Sequence, residues 1–292
     1  MNAPNPSATP NDPTSAEPVA PPSPCARRRF RRLRRLCDIL ALLLLAYLLL
    51  AYWLLPLAWT HYEHHGKMED APKTTMLADG IPGDPLNIAF IGTEEELIRA
   101  MNAAGWRPAD PTTMKTSLRI AASVLRNKKY ETAPISNLYL WGRHQDLSFE
   151  RPAGGSPRQR NHVRFWRRDE LGIDGKPLWL GAATFDQSVG MSHNTGQITH
   201  HIAPDIDAER DQLIADLTAA GQLTQTFEVT GVGATWTGRN GGGDRYFTDG
   251  ELAIGQLSPG NIVETAPPTQ LPNPALVEWK NQFIGWLNGR GF

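Results

Sequence analysis

Three cationic or potentially cationic side chains, Arg160, His162 and Arg164, recur at i, i+2 and i+4. On a β-strand successive side chains point to opposite faces, so these three share one face while Val163 and Phe165 take the other. Such a row suits a phosphate or a carboxylate. Just upstream, Leu147 and Phe149 alternate with Asp146, Ser148 and Glu150, and a hairpin between the two segments would set carboxylates opposite the cations. The same pattern also describes a solvated cross-strand charge ladder, whose pairs are worth no more than about 1 kcal/mol each.

A second polar cluster runs Thr199, His200, His201, Ile202, Ala203, Pro204, Asp205, Ile206, Asp207. Imidazole and carboxylate are the metal ligands that remain when cysteine is absent. Strand alternation separates the two histidines, placing His200 with Ile198 and Ile202 toward a core and His201 with Gln197 and Thr199 away from it. The pair is therefore not expected to share an ion, and neither a metal nor a cofactor is expected. Asp205, Asp207 and Glu209 have a structural role available, as a cap and acidic first turn for the helix that follows. His200 is left as a lone catalytic or anion-binding group. Arg143, His144 and Gln145 at a strand junction, and Asp186 at a strand end, are further candidates to line a pocket with His200. The loop Gly238 to Asp244 lacks the lysine of a phosphate-binding loop and reads as a mobile lid near Arg239 and Arg245. Neither a Gly-x-Ser-x-Gly elbow nor a His-Glu-x-x-His helix occurs.

The elements that must hold these groups can be read from periodicity. Leu86 to Ile91 is a short apolar strand, and Thr93 with Glu96 makes a capping box for a helix ended by Gly105. A second helix is expected over Thr113 to Asn127. The pattern then changes to period 2, predicting strands near Ser136 to Trp141, Gln145 to Glu150, Asn161 to Arg168, Leu178 to Asp186 and Gln197 to Ile202. A helix over Ile206 to Ala220 follows, then strands at Gln225 to Val232 and Glu251 to Leu257. This order predicts an α+β domain, a mostly antiparallel sheet flanked by helices, over residues 86–258. Residues 259–292 read as a proline-rich linker and an amphipathic helix, with Leu276, Trp279, Phe283 and Trp286 on one stripe. That stripe fits a helix docked on the domain, or one lying in a membrane interface.

Ahead of the domain, residues 1–35 form a tail with eight prolines in the first 24 positions, followed by seven arginines from Arg27 to Arg35. Composition of this kind predicts disorder, then a cationic flank. Residues 36–59 contain the apolar run Ile39 to Trp59, which at about 1.5 Å per residue spans roughly 30 Å and predicts one N-terminal transmembrane helix. The arginines mark its cytoplasmic end, and Tyr52, Trp53, Trp59 and Tyr62 crowd the other. The domain is thus expected outside the cytoplasm, periplasmic in a two-membrane cell, on a stalk over 60–85 that carries Pro72, Pro82 and Pro85.

Of the charged residues, 7 Lys+Arg and 3 Asp+Glu precede residue 59, leaving 22 and 27 for the remainder, a net of −5. That balance excludes nucleic acid as an expected partner. The partners left are the bilayer itself, an anionic lipid headgroup or phosphorylated glycan, and other envelope proteins. Both cysteines, Cys25 and Cys37, precede the domain, so it has no disulfide and no thiol nucleophile.

The strings SNLYLWGRHQDLSFER (Ser136 to Arg151), NHVRFW (Asn161 to Trp166), WLGAATFD (Trp179 to Asp186) and THHIAPDIDAER (Thr199 to Arg210) resemble the LssY C-terminal domain family, as does the opening Gly92 to Trp106. The resemblance covers about residues 86–258. It implies a domain of bacterial membrane proteins, in some cases fused to membrane lipid phosphatases of the phosphatidic-acid type and linked by name to a secretion locus. It makes Arg143, Asp146, His162, Arg164, Asp186, His200 and Asp205 the positions matching its motif, without assigning roles. No multi-span phosphatase portion is present in this sequence. Three functions follow in order: an envelope binding module for an anionic ligand, an assembly partner in a membrane complex, and a phosphoester hydrolase using His200 with Asp146 or Asp186. The sequence leaves open whether the domain is an enzyme.

Overall fold

The structure is a computed structural model that describes residues 24–58, 68, 71–109, 137–153, 159–171, 175–194, 196, 198–234 and 236–287. The helix expected over Thr113 to Asn127 lies outside the described residues. The chain divides into two compact units, residues 1–59 and 60–292.

The described residues of the first unit, 24–58, form one helix. It runs as α1 over Pro24–Leu49, passes through a π-helical turn at Leu50–Leu54 and continues to Ala58. Within it, Arg28–Ala58 is long and apolar enough to cross a membrane, and none of its apolar window is buried by protein. A helix with Leu40, Leu42, Leu43, Leu44 and Leu45 all more than half exposed is unstable in water and suited to lipid.

The second unit is α+β and is built on a mixed, largely antiparallel sheet. Its described strands are β1 (Thr74–Met76), β2 (Pro82–Pro85), β3 (Ile88–Ile91), β4 (Arg107–Pro108), β5 (Tyr139–Leu140), β6 (Arg143–His144), β7 (Leu147–Pro152), β8 (Arg160–Leu171), β9 (Pro177–Met191), β10 (Ile198–Ile202), β11 (Leu223–Val229), β12 (Thr237–Arg239), β13 (Arg245–Phe247), β14 (Leu252–Leu257) and β15 (Thr269–Gln270). The helices are α2 (Glu94–Ala103), α3 (Ile206–Ala219) and α4 (Ala275–Leu287). The large sheet runs β15-β11-β14-β3-β9-β8-β7-β4, with β10 on the far half of β9. Only β14 with β3 and β11 with β15 pair in parallel there.

Alternation along β3, β8 and β9 sends apolar side chains to both faces. On one face Phe90, Phe149, Phe165 and Trp179 pack beneath α2 and α3 through Leu97, Met101, Leu213 and Leu217. On the other, Ile91, Trp166, Leu180, Ala182 and Ile254 pack with Leu138 and Leu140 of the small sheet β2-β1-β5-β6. The site lies on this second face. Gly181 of β9, opposite Phe165 of β8, leaves room for that ring on the first face, because a Cβ there would sit 2.7 Å from it.

Helix starts follow local rules. Thr93 accepts from the Glu96 amide, and the Glu96 carboxylate accepts from the Thr93 amide, a complete capping box. Asp205 caps α3 through the Ala208 amide at 3.2 Å.

Three regions differ from expectation. The segment read as stalk contributes β1 and β2, joined by Thr75 Oγ1 donating to the Asp84 carbonyl at 2.8 Å. Pro82 and Pro85 sit at the ends of β2, an edge strand where a missing N–H costs little. The glycine-rich loop, expected to be a mobile lid, is the tip of the β12–β13 hairpin. Asn240 pins it by accepting from the Asp244 amide and giving its own amide to the Asp244 carbonyl, both at 2.9 Å. In α4 the face against the sheet carries Val277, Lys280 and Asn281. The Lys280 ammonium pairs with the buried Glu251, and Trp279, Phe283 and Trp286 stack on one another in the open.

Candidate functional site

Arg160, His162 and Arg164 project from β8 into a cleft of about 330 Å³, bounded by β2, β9, β10 and the β12–β13 loop. Asp186 and His200 line the same cleft, joined by Asp84, Thr199 and Asn240. In the β7–β8 register Glu150 stands opposite His162 and Pro152 opposite Arg160. The β8–β9 register sets Arg160 opposite Asp186 and His162 opposite Thr184.

The floor is a network of buried charge. Arg160 donates to Asp186 and to Glu150, each at 2.9 Å, and Arg164 donates to Asp84 at 2.9 Å. The His162 Nε2 lies 2.8 Å from Thr184 Oγ1 and its Nδ1 3.3 Å from Asp186 Oδ2. Asn240 Nδ2 reaches Asp84 Oδ1 at 3.4 Å. Two arginines thus face three carboxylates, and buried charges persist only when compensated in this way.

Burial by itself would raise the Asp186 carboxyl, but His162, His200 and Arg160 outweigh it and hold the group far below the usual carboxylate range. Asp84 follows the same pattern, with burial outweighed by His162 and Arg164. At His200 burial prevails. Burial, reinforced by Arg160, His162 and Arg164 against the opposing Asp186, pushes its imidazole down to about 4, so it is neutral at pH 7. It is more open than the charged groups of the floor, with its side chain 24% exposed against 2% for Asp186, while Asp79 lines the cleft as an exposed carboxylate. Its Nδ1 lies 4.0 Å from Asp186 Oδ2.

Five of the eight candidate residues, Arg160, His162, Arg164, Asp186 and His200, therefore meet in one place. The other three do not. Asp146 pairs with Arg143 outside the cleft lining and accepts from the Arg167 amide at 2.6 Å, because the chain bends at Asp146 before β7 begins. This takes both Arg143 and Asp146 away from His200. Asp205 is spent on the α3 cap and borders a separate cavity with Arg151, Asn161 and Glu209. Asp84 was missed because it lies in a stretch punctuated by prolines, and nothing local marks it as a partner for a side chain 80 positions away. Asn240 and Thr184 are equally silent in one dimension.

In the neighbouring cavity Glu209 has a buried Oε1 with no hydrogen-bond partner among the described residues. Burial raises its carboxyl to about 8, only partly opposed by Arg151. Its folded-state pKa exceeds the unfolded value, so it is free of penalty below about pH 4.5 and costs stability as pH rises toward 8, at about 1.4 kcal/mol per unit. Glu209→Gln should therefore raise the Tm at pH 7.5 by roughly 10 °C, from about 4 kcal/mol, and leave it nearly unchanged near pH 4.5. Parallel Tm profiles for the two proteins across this range would show that Glu209 is ionised in the fold.

No curated protein and no solved structure matches the chain significantly. The family model described as LssY C-terminus matches residues 68–252, a span that opens upstream of β1 and closes at the first residue of β14. The chain belongs to the LssY C-terminus family.

Proposed function

We propose that the protein is a membrane-anchored binding module that receives a small anionic, phosphate-bearing group in the β8–β9–β10 cleft. The anchor is α1, with its arginine-rich end in the cytoplasm and residues 60–292 on the opposite side, in keeping with seven arginines at one end of an apolar helix. The observation that carries the binding reading is that Arg160, His162 and Arg164 share one cleft with the more accessible His200. Burial, with Arg160, His162 and Arg164 acting against Asp186, keeps His200 neutral at pH 7. An entering dianion would in turn stabilise the imidazolium, and His200 would take up a proton as the ligand binds.

The test is equilibrium binding of sn-glycerol 3-phosphate to the full chain in detergent micelles. His200→Gln should weaken it roughly 10- to 100-fold, the worth of a charged hydrogen bond, while His144→Gln, exposed and outside the cleft lining, should leave it unchanged. Equal affinity for wild type and His200→Gln would remove the reading.

Phosphoester hydrolysis is the second reading, favoured by a neutral His200 beside the buried Asp186. It ranks lower because a base with a pKa of about 4 accepts protons poorly at neutral pH. Turnover of p-nitrophenyl phosphate by the wild type and its loss in His200→Gln would reverse that order.

A further inference from the structure

The histidine that strand alternation turns away from the cleft has a partner set of its own. His201 on β10 points its Nδ1 at Asp244 Oδ1, 2.6 Å away, and His193 Nε2 lies 3.7 Å from the same oxygen. The two imidazoles face each other with ring centroids 5.3 Å apart, and one donor atom from each of the three residues falls within 4.8 Å of the others. The three come from different elements: the turn after β9, strand β10, and the tip of the β12–β13 hairpin.

The surroundings fix this convergence. Asp244 Oδ2 accepts from the Ile202 amide at 3.1 Å, which aims the other carboxylate oxygen at the imidazoles. The turn bearing His193 is sewn to the hairpin tip, since the His193 amide donates to the Gly242 carbonyl at 2.8 Å and Asn194 Nδ2 to the Gly241 carbonyl at 3.0 Å. Two glycines provide the close approach. A Cβ at Gly190 would lie 2.6 Å from His201 Nε2, and one at Gly243, where φ is +87°, would lie 2.7 Å from His193 Cβ. A simple His201–Asp244 hydrogen bond would need neither the third residue nor the stitched turn.

We propose that His193, His201 and Asp244 form a binding site for a first-row divalent cation of the zinc class. Two imidazole nitrogens and one carboxylate oxygen are the donors such an ion takes, and three protein ligands leave a position for water. Bonds of about 2.1 Å in a tetrahedral site place donors about 3.4 Å apart, which here requires shifts of about an ångström in the side chains. The ion would tie the β9 turn and β10 to the hairpin whose Asn240, Gly241 and Gly242 wall the cleft. The site stands whether or not the cleft binds phosphate.

The experiment is calorimetric titration of Zn²⁺ into the chelator-treated, tag-free full chain in detergent, with Co²⁺ absorption reporting geometry. His193 is the variant of choice because its side chain is 64% exposed and its loss leaves the fold intact. His193→Gln should lose one equivalent, or weaken that equivalent at least about 100-fold, since even residues behind the ligands contribute 10- to 100-fold. His144→Gln should keep the equivalent, and Zn²⁺ should raise the Tm of that variant but not of His193→Gln. Identical isotherms for wild type and His193→Gln, or no Zn²⁺ uptake by either, would overturn the proposal.

Discussion

Replacing Arg160 with alanine is expected to lower the stability of the folded domain by about 3 to 5 kcal/mol, the usual cost of removing one partner from a buried ion pair. The guanidinium joins Glu150 and Asp186, whose side chains are 1% and 2% exposed, and neither could be rehydrated without opening the sheet. Arg160→Lys should recover little, because one ammonium on a flexible stem does not span both carboxylates as the planar fork does. Arg160→Met combined with Glu150→Gln should recover part of the loss by removing one stranded charge. Urea unfolding followed by circular dichroism reads these changes as shifts in midpoint at constant slope. A loss below about 1 kcal/mol would mean that water reaches the network and that the pairs behave as surface salt bridges. The same result warns that loss of ligand binding in Arg160→Ala or Arg164→Ala is uninformative without a folding control.

Asn87→Ala is the second substitution with a large expected effect. Asn87 is 1% exposed, and its Nδ2 donates to the carbonyls of Ala183 and Ile206 at 2.9 and 3.0 Å while its Oδ1 accepts from the Ala183 amide at 2.9 Å. One side chain thus satisfies backbone groups on β9 and at the start of α3 that no neighbour can replace. Each buried group left without a partner costs about 1 to 3 kcal/mol, so the truncation should cost roughly 3 to 5 kcal/mol, part of it offset by rearrangement. Asn87→Asp should be no milder at pH 7, because it keeps the acceptor and turns both donated bonds into contacts between oxygens. A midpoint within error of wild type for either variant would show that β9 and α3 hold together without this bridge.

Local chemistry made much of the architecture legible. Thr93 and Glu96 announce the start of α2 because a capping box closes within four residues, and β8 is readable because Val163, Phe165, His162 and Arg164 alternate without interruption. The split between His200 and His201 follows from the same period-2 rule, and they do turn to different acids, Asp186 and Asp244. What sequence spacing could not supply is pairing across the fold. The hairpin expected to set Glu150 opposite the cations does form between β7 and β8 and gives its salt bridge to Arg160, but Asp84 enters only when β2 folds over β8. Asp207 read as part of an acidic first turn, yet it is fully buried and accepts from Thr248 Oγ1 at 2.7 Å, beside Arg210. Composition ranks such a group as surface, and only the packed neighbours overrule that ranking. In α4 the aromatic stripe was legible as a stripe, but which side of the helix met the sheet was decided by Lys280 finding Glu251.

That outward stripe adds two tryptophans to the exposed ones, Trp53, Trp141 and Trp236, and sets them apart from the buried ones. Trp106, Trp166 and Trp179 are sealed in the sheet cores, whereas Trp279 and Trp286 of α4 are 62% and 70% exposed. Light from the first set reports whether the interior is intact, and light from the second reports what bathes α4. With Trp53, Trp59, Trp141 and Trp236 replaced by phenylalanine, a quencher dissolved in water and one carried on lipid chains would address the α4 pair separately, letting the protein signal the surroundings of its last helix while its interior emission certifies that the fold is unchanged.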